Sequence, residues 1–580
     1  MDKKELASLL EDIGTLLELK GENPFKCNSY HNAARTIESL DQNLEELQSL
    51  EDWTRLKGIG VSLAEKILTI LRTGTLPLYD ELKDSLPSGL LEMLHIPGMG
   101  PKRVRTVYEK LGIISVGELE YASRENRLLE LPGFGSKIQE NILQGIEYLK
   151  KSQGRFHLHE VLSAARILRD DLAKLAQVSR IEIAGSLRRY KETVKDIDLL
   201  ITTSKPEPVM AAFTSHPLVE SVIAHGETKS SVRLTMGMNV DLRVVAKAEF
   251  PFALMYFTGS KEHNIVMRAR AQKLGYKLNE YGLFKRESKT SLPLRSEEEI
   301  FQALGLSYIP PELREDMGEI TAAEKGALPH LIEAVDLRGT FHIHTNYSDG
   351  TAGIEEYVKY AKQKGMSYIG ISDHSRSAFY AGGLSAEKVL KQLEEIDRLN
   401  NKYKDFFIFK GIESDIRSEG SLDYPEDILK RFDFIIISVH SRFKMTKAEM
   451  TTRILKAMDN PYATMLGHPT GRLLLAREGY ELDLDAVIKA AARTKVIIEF
   501  NANPFRLDLD WRHMKKAVEA GVLLSINPDA HSLEDMEFCE LGIGLARKGW
   551  CEPRHILNTY SASEVKRLFA RDPSSVRKHE

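Results

Sequence analysis

Nine potential metal ligands stand in the second half of the chain, nearly all at the ends of short β-type runs. FHIHTNYSDG supplies His342, His344 and Asp349, ISDH supplies His374, FKGIE supplies Glu413, IIISVH supplies His440, MLGHP supplies His468, and LLSINPDAH supplies Asp529 and His531. In a β/α barrel the strands converge at their C-terminal rim, so ligands carried on strand ends meet in one pocket. Imidazole mixed with carboxylate suits Zn²⁺, Mn²⁺ or iron, and so many ligands can hold two or three ions. Ions clustered in that way activate water and neutralise a phosphate during in-line displacement, so phosphoester hydrolysis is the expected chemistry.

A second constellation lies upstream, where AGSLRR is followed by VKDIDLL and NVDLRVV. Strand alternation puts Asp196 and Asp198 on one face, and Asp241 on another strand completes a triad. Three convergent carboxylates suit two Mg²⁺ ions, whose remaining positions go to substrate phosphate and water. One such ion lowers the pKa of an attacking hydroxyl while the other steadies a triphosphate and its leaving pyrophosphate. Gly185 and Ser186, at a strand-to-helix turn, offer amides and a hydroxyl to phosphate, and Arg188 and Arg189 add charge.

The elements that must position these residues follow from periodicity. Residues 1 to about 80 read as helices, and an imperfect repeat runs through and beyond them: LKGIG with Gly58 and Gly60, IPGMG with Gly98 and Gly100, LPGFG with Gly133 and Gly135. Each precedes a basic helix in the form of a helix-hairpin-helix, where glycines let the backbone turn tightly and aim helix amides at a phosphate. Such contacts hold nucleic-acid backbone without reading sequence. The first two also resemble hairpins whose carbonyls, here of Leu56 and Ile59 and of Leu94, Ile96 and Met99, bind K⁺ or Na⁺ bridging to DNA.

The expected organisation is a helical domain over 1–80, helix-hairpin-helix repeats over 81–150, an α+β unit over 151–250 and a smaller unit over 251–315, which the resemblance given below implies are a DNA-binding domain, fingers, a nucleotidyltransferase palm and a thumb. A Pro- and Gly-containing linker over 316–336, long enough to permit domain motion, leads into a metal-dependent barrel over 337–580. Seven strand-like runs, near 340, 370, 408, 436, 465, 498 and 525, point to a distorted seven-stranded β/α barrel, though periodicity alone does not separate it from an eight-stranded one.

Composition is that of a globular protein, 42% hydrophobic and 28% charged, with a net charge of −4. That balance does not by itself suggest a nucleic-acid partner, but an acidic metal-binding domain can offset a basic cleft. Local basic clusters exist in KKSQGR, SLRRYK and VMRARAQK, each of which taken singly reads as a solvated helix face. Three dispersed cysteines, Cys27, Cys539 and Cys551, fit neither a disulfide framework nor a cysteine zinc site. No apolar run approaches a membrane span. A cytoplasmic location, no membrane partner and, by default, a monomer are expected.

AGSLRR, VKDIDLL, VDLRVV, YFTGS and LNEYGLF, in this order behind helix-hairpin-helix repeats, resemble a family X DNA polymerase. The C-terminal half resembles a polymerase and histidinol phosphatase (PHP) domain, and the combination is similar to the bacterial PolX family. The resemblance implies that Asp196, Asp198 and Asp241 bind Mg²⁺ or Mn²⁺, with Asp241 nearest the primer 3′-hydroxyl. It implies that Ser186, Arg189 and Arg155 hold the nucleotide's phosphates beside Gly185, and that Tyr256, Phe257 and Gly259 line the sugar. Asn264 and Arg268 would approach the nascent base pair, and Glu280 and Tyr281 would make closing contacts. In the barrel it implies Mn²⁺ or Zn²⁺, with His344, Glu413 and His440 among the catalytic ligands, Arg472 as a phosphate clamp and Asp373 orienting His374.

Two departures stand out. Lys66 in AEKI fits the position of a Schiff-base lysine for removal of 5′-deoxyribose phosphate, but Ser62 stands where lyases have a further lysine, which argues for a DNA-phosphate or surface role instead. Lys261 replaces an acidic residue of some relatives. The expected function is repair of gapped or nicked DNA: templated gap filling from deoxynucleoside triphosphates, joined to 3′→5′ exonuclease, 3′-end processing or abasic-site cleavage. The alternatives are a small-phosphoester phosphatase tethered to DNA and a non-enzymatic DNA-binding scaffold.

Overall fold

The computed structural model describes residues 3–570 apart from 39, 41–43, 45–46, 57 and 151–153, so part of the KKSQGR cluster lies outside the described residues. The chain divides into two compact units, Met1–Leu149 and Lys150–Glu580. Among the described residues no helix is long and apolar enough to cross a membrane.

The first unit is helical. In its opening helix, Lys3–Lys20, the apolar residues Leu6, Leu10, Ile13 and Leu17 recur at helical spacing and are all buried, in a core shared with Trp53, Ile67 and Ile70. The three glycine pairs build one local structure three times. Gly58, Gly98 and Gly133 take positive φ of 88°, 88° and 84°, a region open to glycine at no steric cost. Each turn is closed by the same hydrogen bond, from Ile59 N to Leu56 O, Met99 N to Ile96 O and Phe134 N to Leu131 O. The second glycine of the first two pairs then caps a helix, Val61–Thr73 or Pro101–Leu111, and a third helix, Ser136–Lys150, follows Gly135.

The second unit opens with β1 (Phe156–His157), β2 (Val178–Ile183), β3 (Thr193–Val194), β4 (Asp196–Thr203), β5 (Val219–Ala224), β6 (Lys229–Leu234) and β7 (Asn239–Val244). Five of these form a sheet in the order β2-β4-β7-β6-β5, with β4 and β7 parallel and the other neighbours antiparallel. Ile197, Leu199 and Ile201 of β4 are buried in one core with Leu158, Val161, Ala165, Leu168 and Leu172 of the helix Leu158–Ala173. Helices Phe250–Thr258 and Lys261–Lys273, the hairpin of β8 (Tyr276–Asn279) and β9 (Gly282–Lys285), and helix Glu297–Ala303 follow.

Seven parallel strands complete the unit: β10 (Gly339–Ile343), β11 (Tyr368–Ile371), β12 (Phe407–Asp415), β13 (Phe434–Ser438), β14 (Met465–Leu466), β15 (Ile497–Asn501) and β16 (Leu524–Asn527). They pair in sequence order, and a parallel bridge from Ile343 to Ala530 joins the first edge to the last. The seven expected strands are therefore the seven observed, nearly closed into a barrel. An aromatic cluster of Phe341, Tyr368, Phe409, Phe434 and Phe569 packs together in its core, with Phe341 edge-on to Phe434 at 5.1 Å between ring centres. Gly370 and Gly411 make room for it, since a Cβ at either would lie 2.3 Å from Phe341 or 2.2 Å from Phe434.

The segment expected as a mobile linker is instead docked. Helix Glu319–Glu324 lies within it, buried Glu319 pairs with buried His263 at 2.7 Å, and Ile332 bonds through its backbone to Cys551 and Arg547. Side chains supplied by the barrel fix the palm as well. Lys548, wholly buried at the end of helix Phe538–Lys548, donates to Arg189 O, Glu312 O and Glu315, and Glu315 also pairs with Arg189 and Lys191. Burial alone would raise the Glu315 carboxyl, but Lys548, Arg189 and Lys191 outweigh it and hold it down at about 2.

Because the folded pKa lies below the ordinary 4.5, the native state carries fewer protons than the unfolded chain between about pH 2 and 4.5. The Glu315 contribution is therefore complete above that window and is lost as pH falls through it. Glu315→Gln should cost about 3 kcal/mol, because it leaves buried cations uncompensated, and should flatten the acid limb of stability. Urea unfolding at a series of pH values reads both effects, and an unchanged acid limb in the variant would refute them.

Candidate active sites

Eight of the nine candidate barrel ligands sit at or just beyond the C-terminal ends of the strands, with Asp349 in the loop after β10. Two departures from regular strand geometry bring them together. The β10–β11 register shifts between Thr340 and Ile343, and His342 takes φ 59°. This bulge reverses the side-chain parity: Phe341 joins the aromatic cluster, His342 and His344 reach the pocket, and Ile343 packs outward with Ile354 and Val358. His468 and Asp529 also have positive φ, 23° and 53°. Each such residue stores roughly 1–3 kcal/mol of strain, which the surrounding structure must hold.

The donor atoms form overlapping groups: His344, Asp349, His374 and His531; His342, Glu413 and His468; His342, His344 and Asp529; His374, Glu413 and His440. Within each group the ligand atoms lie inside 4.8 Å of one another. Glu413 is central, with Oε1 3.2 Å from His440 Nε2 and 2.9 Å from His468 Nε2, while those two nitrogens are 3.3 Å apart. Buried His342 Nε2, both nitrogens of His344, Asp349 Oδ2 and Glu413 Oε2 have no hydrogen-bond partner among the described residues. Buried polar atoms left in this way are costly unless something else satisfies them, and imidazoles converging on carboxylates fit divalent transition-metal ions.

The electrostatics agree with that fit. Burial would raise Asp349, Glu413 and Asp529, but the surrounding imidazoles hold all three well below the usual carboxylate range. Burial, with His531 and His374 beside it, pushes His344 down to about 3, and burial with Arg506 takes His468 to about 4. Both rings are therefore neutral, the form that ligates metal. Around His342, His374 and His440 the carboxylates outweigh burial and raise the pKa.

Several residues around this pocket escaped the sequence reading. Glu499 on β15 accepts from His342 Nδ1 at 2.5 Å and from His468 N at 2.6 Å, and Asp415 accepts from His440 Nδ1 at 2.6 Å. Each fixes the tautomer that turns Nε2 toward the pocket. Asn501 and Arg506 approach Asp529 at 2.9 and 3.5 Å. A signal existed for two of them: Asp415 follows Glu413 at strand spacing, and Glu499 is an acid inside an otherwise apolar strand run.

Two assignments change. The Asp373 carboxylate accepts from Thr345 N and Oγ1, Ser348 Oγ and Gln392 Nε2, so it shapes the loop that carries Asp349. Arg472 is not placed as a phosphate clamp. Its guanidinium is taken up by Asp510, Arg506 O, Leu507 O and Glu192, so it braces the barrel against β3.

In the palm, β4 and β7 run parallel with Asp198 opposite Asp241 in register, and Asp196 two residues before Asp198. Burial, then Asp196 and Asp241, raise Asp198 to about 6. Asp241 accepts from Ser231 Oγ at 2.5 Å and pairs with Lys229 at 2.7 Å. Gly185 opens the next turn at φ 66°, and a Cβ there would lie 2.4 Å from Asp198 Oδ2, so only glycine allows this approach. Ser186 and Arg155 line the same cavity as Asp196. Arg189 uses Nε on Glu315 and Nη1 on Thr258 O, while Arg188 grips Glu297 with both terminal nitrogens. These two arginines tie the turn to the 250–315 segment.

The remaining expected residues spread around this centre. Tyr256 and Phe257 stack edge-on at 5.3 Å at the end of helix Phe250–Thr258, and Gly259 follows at φ 69° with the Arg189 guanidinium 3.1 Å from where its Cβ would be. Asn264 Nδ2 donates to Tyr256 O, Arg268 is exposed one turn on, and Tyr281 is exposed in the β8–β9 turn that also holds Glu280. In the first unit Lys66 donates to Tyr30 Oη at 2.8 Å and lies over its ring.

Comparison with known proteins gives matches along the chain. A helix-hairpin-helix domain matches residues 1–76 and a SAM-like helix-hairpin-helix tandem matches 90–147. A DNA polymerase beta thumb matches 253–315 and a PHP domain matches 340–503. The DNA polymerase/3'-5' exonuclease PolX of Bacillus subtilis is 38% identical over 574 residues, 99% of this chain and 100% of its own length. DNA polymerase lambda of Rattus norvegicus is 27% identical over 326 residues, covering 49% of this chain and 52% of the relative. A probable phosphatase of Caldicellulosiruptor bescii is 31% identical over 227 residues, covering 37% of this chain and 89% of its own length.

Glu499→Gln keeps the volume but weakens the acceptor for His342, and loss of such an outer contact should lower metal affinity about 10- to 100-fold. Mn²⁺ titration followed by calorimetry, with the melting temperature as the control for folding, measures it. Equal affinity in wild type and variant would remove Glu499 from the site.

Proposed function

The chain belongs to the PolX family of DNA polymerase/3'-5' exonucleases, and we propose that its two carboxylate centres divide that chemistry, nucleotidyl transfer in the palm and phosphodiester hydrolysis in the barrel. One observation carries the reading: two separate clusters of convergent carboxylates, one shallow and purely acidic, one buried and rich in imidazole. The acidic triad suits Mg²⁺ or Mn²⁺ and the mixed pocket suits Mn²⁺ or Zn²⁺, in two or three ions.

In the palm, bound divalent ions would supply charge for a triphosphate and acidify an attacking hydroxyl. The chain's own part is to place Asp196 and Asp241 beside Asp198, so that burial and their charges raise it to about 6 and bound cations would relieve that repulsion. Ser186 and Arg155 would receive the phosphates of a deoxynucleoside triphosphate, with Arg189 positioning the turn from behind. Tyr256, Phe257 and Gly259 would flank the sugar, and Asn264 and Arg268 the base pair.

In the barrel, bound ions would activate water and polarise the phosphate. Glu499 and Asp415 hold protons on Nδ1 of His342 and His440, leaving Nε2 of each as the ligand atom. The glycine turns of the first unit, with Lys66, would grip the backbone of gapped or nicked DNA, and K⁺ or Na⁺ would fit the carbonyls of the first two turns. A monomer acting in the cytoplasm in DNA repair completes the proposal.

A primer bordering a one-nucleotide gap, incubated with Mn²⁺ and deoxynucleoside triphosphates, separates the sites. Asp198→Asn should lose at least about a hundredfold in extension while still shortening the primer, and His344→Ala the reverse, since each removes a proposed metal ligand of one centre only. Gly185→Ala should match Asp198→Asn in extension, because displacing a catalytic group by about 1 Å costs on the order of a hundredfold. Survival of both activities in every variant would sink the division. Turnover of a small phosphomonoester without trimming of DNA ends would make the barrel a phosphatase instead.

A further inference from the structure

A cavity of about 460 Å³ opens beside the palm triad. The palm contributes Arg155, Ser186, Lys195 and Asp196 to its lining, and the barrel contributes Arg472 and Arg512. The two arginines differ in what they have left to give. Arg472 is half-buried, and its guanidinium is taken up as described above. Arg512 keeps half of its side chain exposed; its guanidinium lies 5.0 Å over the Trp511 ring, and only Nη1 is engaged, with Asp510 at 2.5 Å and with Glu192 no nearer than 3.9 Å. Its Nε and Nη2 have no partner among the described residues. In the same lining Lys195 is exposed with no partner among the described residues, and Arg155 binds Thr193 through Nε and Nη2 while Nη1 stays open.

The charge of the lining decides what such a space accepts. Five cationic side chains, those of Arg155, Lys191, Lys195, Arg472 and Arg512, line the space with two carboxylates, Glu192 and Asp196; Lys191 is paired with Glu315, and Arg472 and Arg512 share Asp510, so the open donors are those of Arg155, Lys195 and Arg512. Glu192 is answered by Arg472 at 3.6 Å, and Asp196 belongs to the triad. The surplus suits a compact polyanion that enters beside Ser186, and an arginine with open donors is the side chain that forks onto phosphate oxygens. Resting on the assignment of the triad to nucleotidyl transfer, we propose that Arg512, a residue of the hydrolytic barrel, binds the polyphosphate tail of the nucleoside triphosphate and the pyrophosphate that leaves it. The barrel thereby supplies part of the polymerase's substrate site.

The test uses the full chain in single-nucleotide gap filling. Arg512→Ala should raise the KM for the deoxynucleoside triphosphate about 5- to 10-fold with kcat within about twofold, the size expected of one charge-assisted contact discounted for its exposure. Inorganic tripolyphosphate, as a competitive inhibitor, should weaken by the same factor, and Arg512→Lys should restore part of both. A purely structural arginine would move neither the inhibitor nor the split between KM and kcat. Exonuclease activity and melting temperature serve as controls for folding, and Arg512→Gln replaces the alanine variant if that one melts early. Wild-type KM and wild-type tripolyphosphate inhibition in a folded variant overturn the proposal and leave the palm assignment intact. If wild type itself fails to extend the primer, the palm assignment falls and this proposal with it.

Discussion

The barrel depends on how buried negative charge is compensated. Side chains of Asp349, Glu413 and Asp529 are almost wholly withdrawn from water, each within 3.8 Å of a His344 nitrogen. Ionised carboxylates in such a place would repel each other and pay several kcal/mol each in lost hydration. Six imidazoles answer them, and outer acceptors such as Glu499, Asp415 and the Asp529 carbonyl fix three of these rings in turn. The bulge at His342 and the positive φ at His468 and Asp529 exist because this packing of ligands does not fit regular strands. The rest of the barrel, from its aromatic core to the Asp373 loop, holds that geometry in place.

The palm solves the opposite problem. Its triad is shallow: Asp196 is exposed, Asp198 and Asp241 are half-buried, and the compensating Lys229 sits on a neighbouring strand. Water can share the load there, and on the proposed assignment so can cations that exchange at each turnover. A buried imidazole pocket suits ions that stay, and a shallow carboxylate triad suits ions that arrive with substrate. The two centres differ in chemistry because they differ in depth.

The second unit binds these two solutions together more tightly than a linker would. Lys548 reaches from the last large barrel helix to the carbonyl of Arg189, and Arg472 pairs with Glu192 beside β3. The turn that begins at Gly185 is thus held from one side by the thumb, through Glu297 and Thr258, and from the other by the barrel. A segment read from sequence as a flexible connector becomes structure because Glu319, His263 and Ile332 have buried partners that composition does not reveal.

Much of this was legible in the chain itself. Residue type and strand-end position marked nine side chains that the structure brings into one pocket, period-two alternation paired Asp196 with Asp198, and the repeated glycine pairs announced three turns that the structure builds with one hydrogen bond in common. Local rules suffice for such features, because a strand's alternation or a glycine's φ is set within a few residues. Tertiary structure alone decided the rest. The role of Asp373, the bracing duty of Arg472, the acceptors Glu499 and Asp415, and a barrel arginine in the palm's cavity all depend on groups dozens to hundreds of residues away. A side chain's chemistry is written in its type, but its partner is chosen by packing, and no local pattern specifies which distant donor will meet which acceptor.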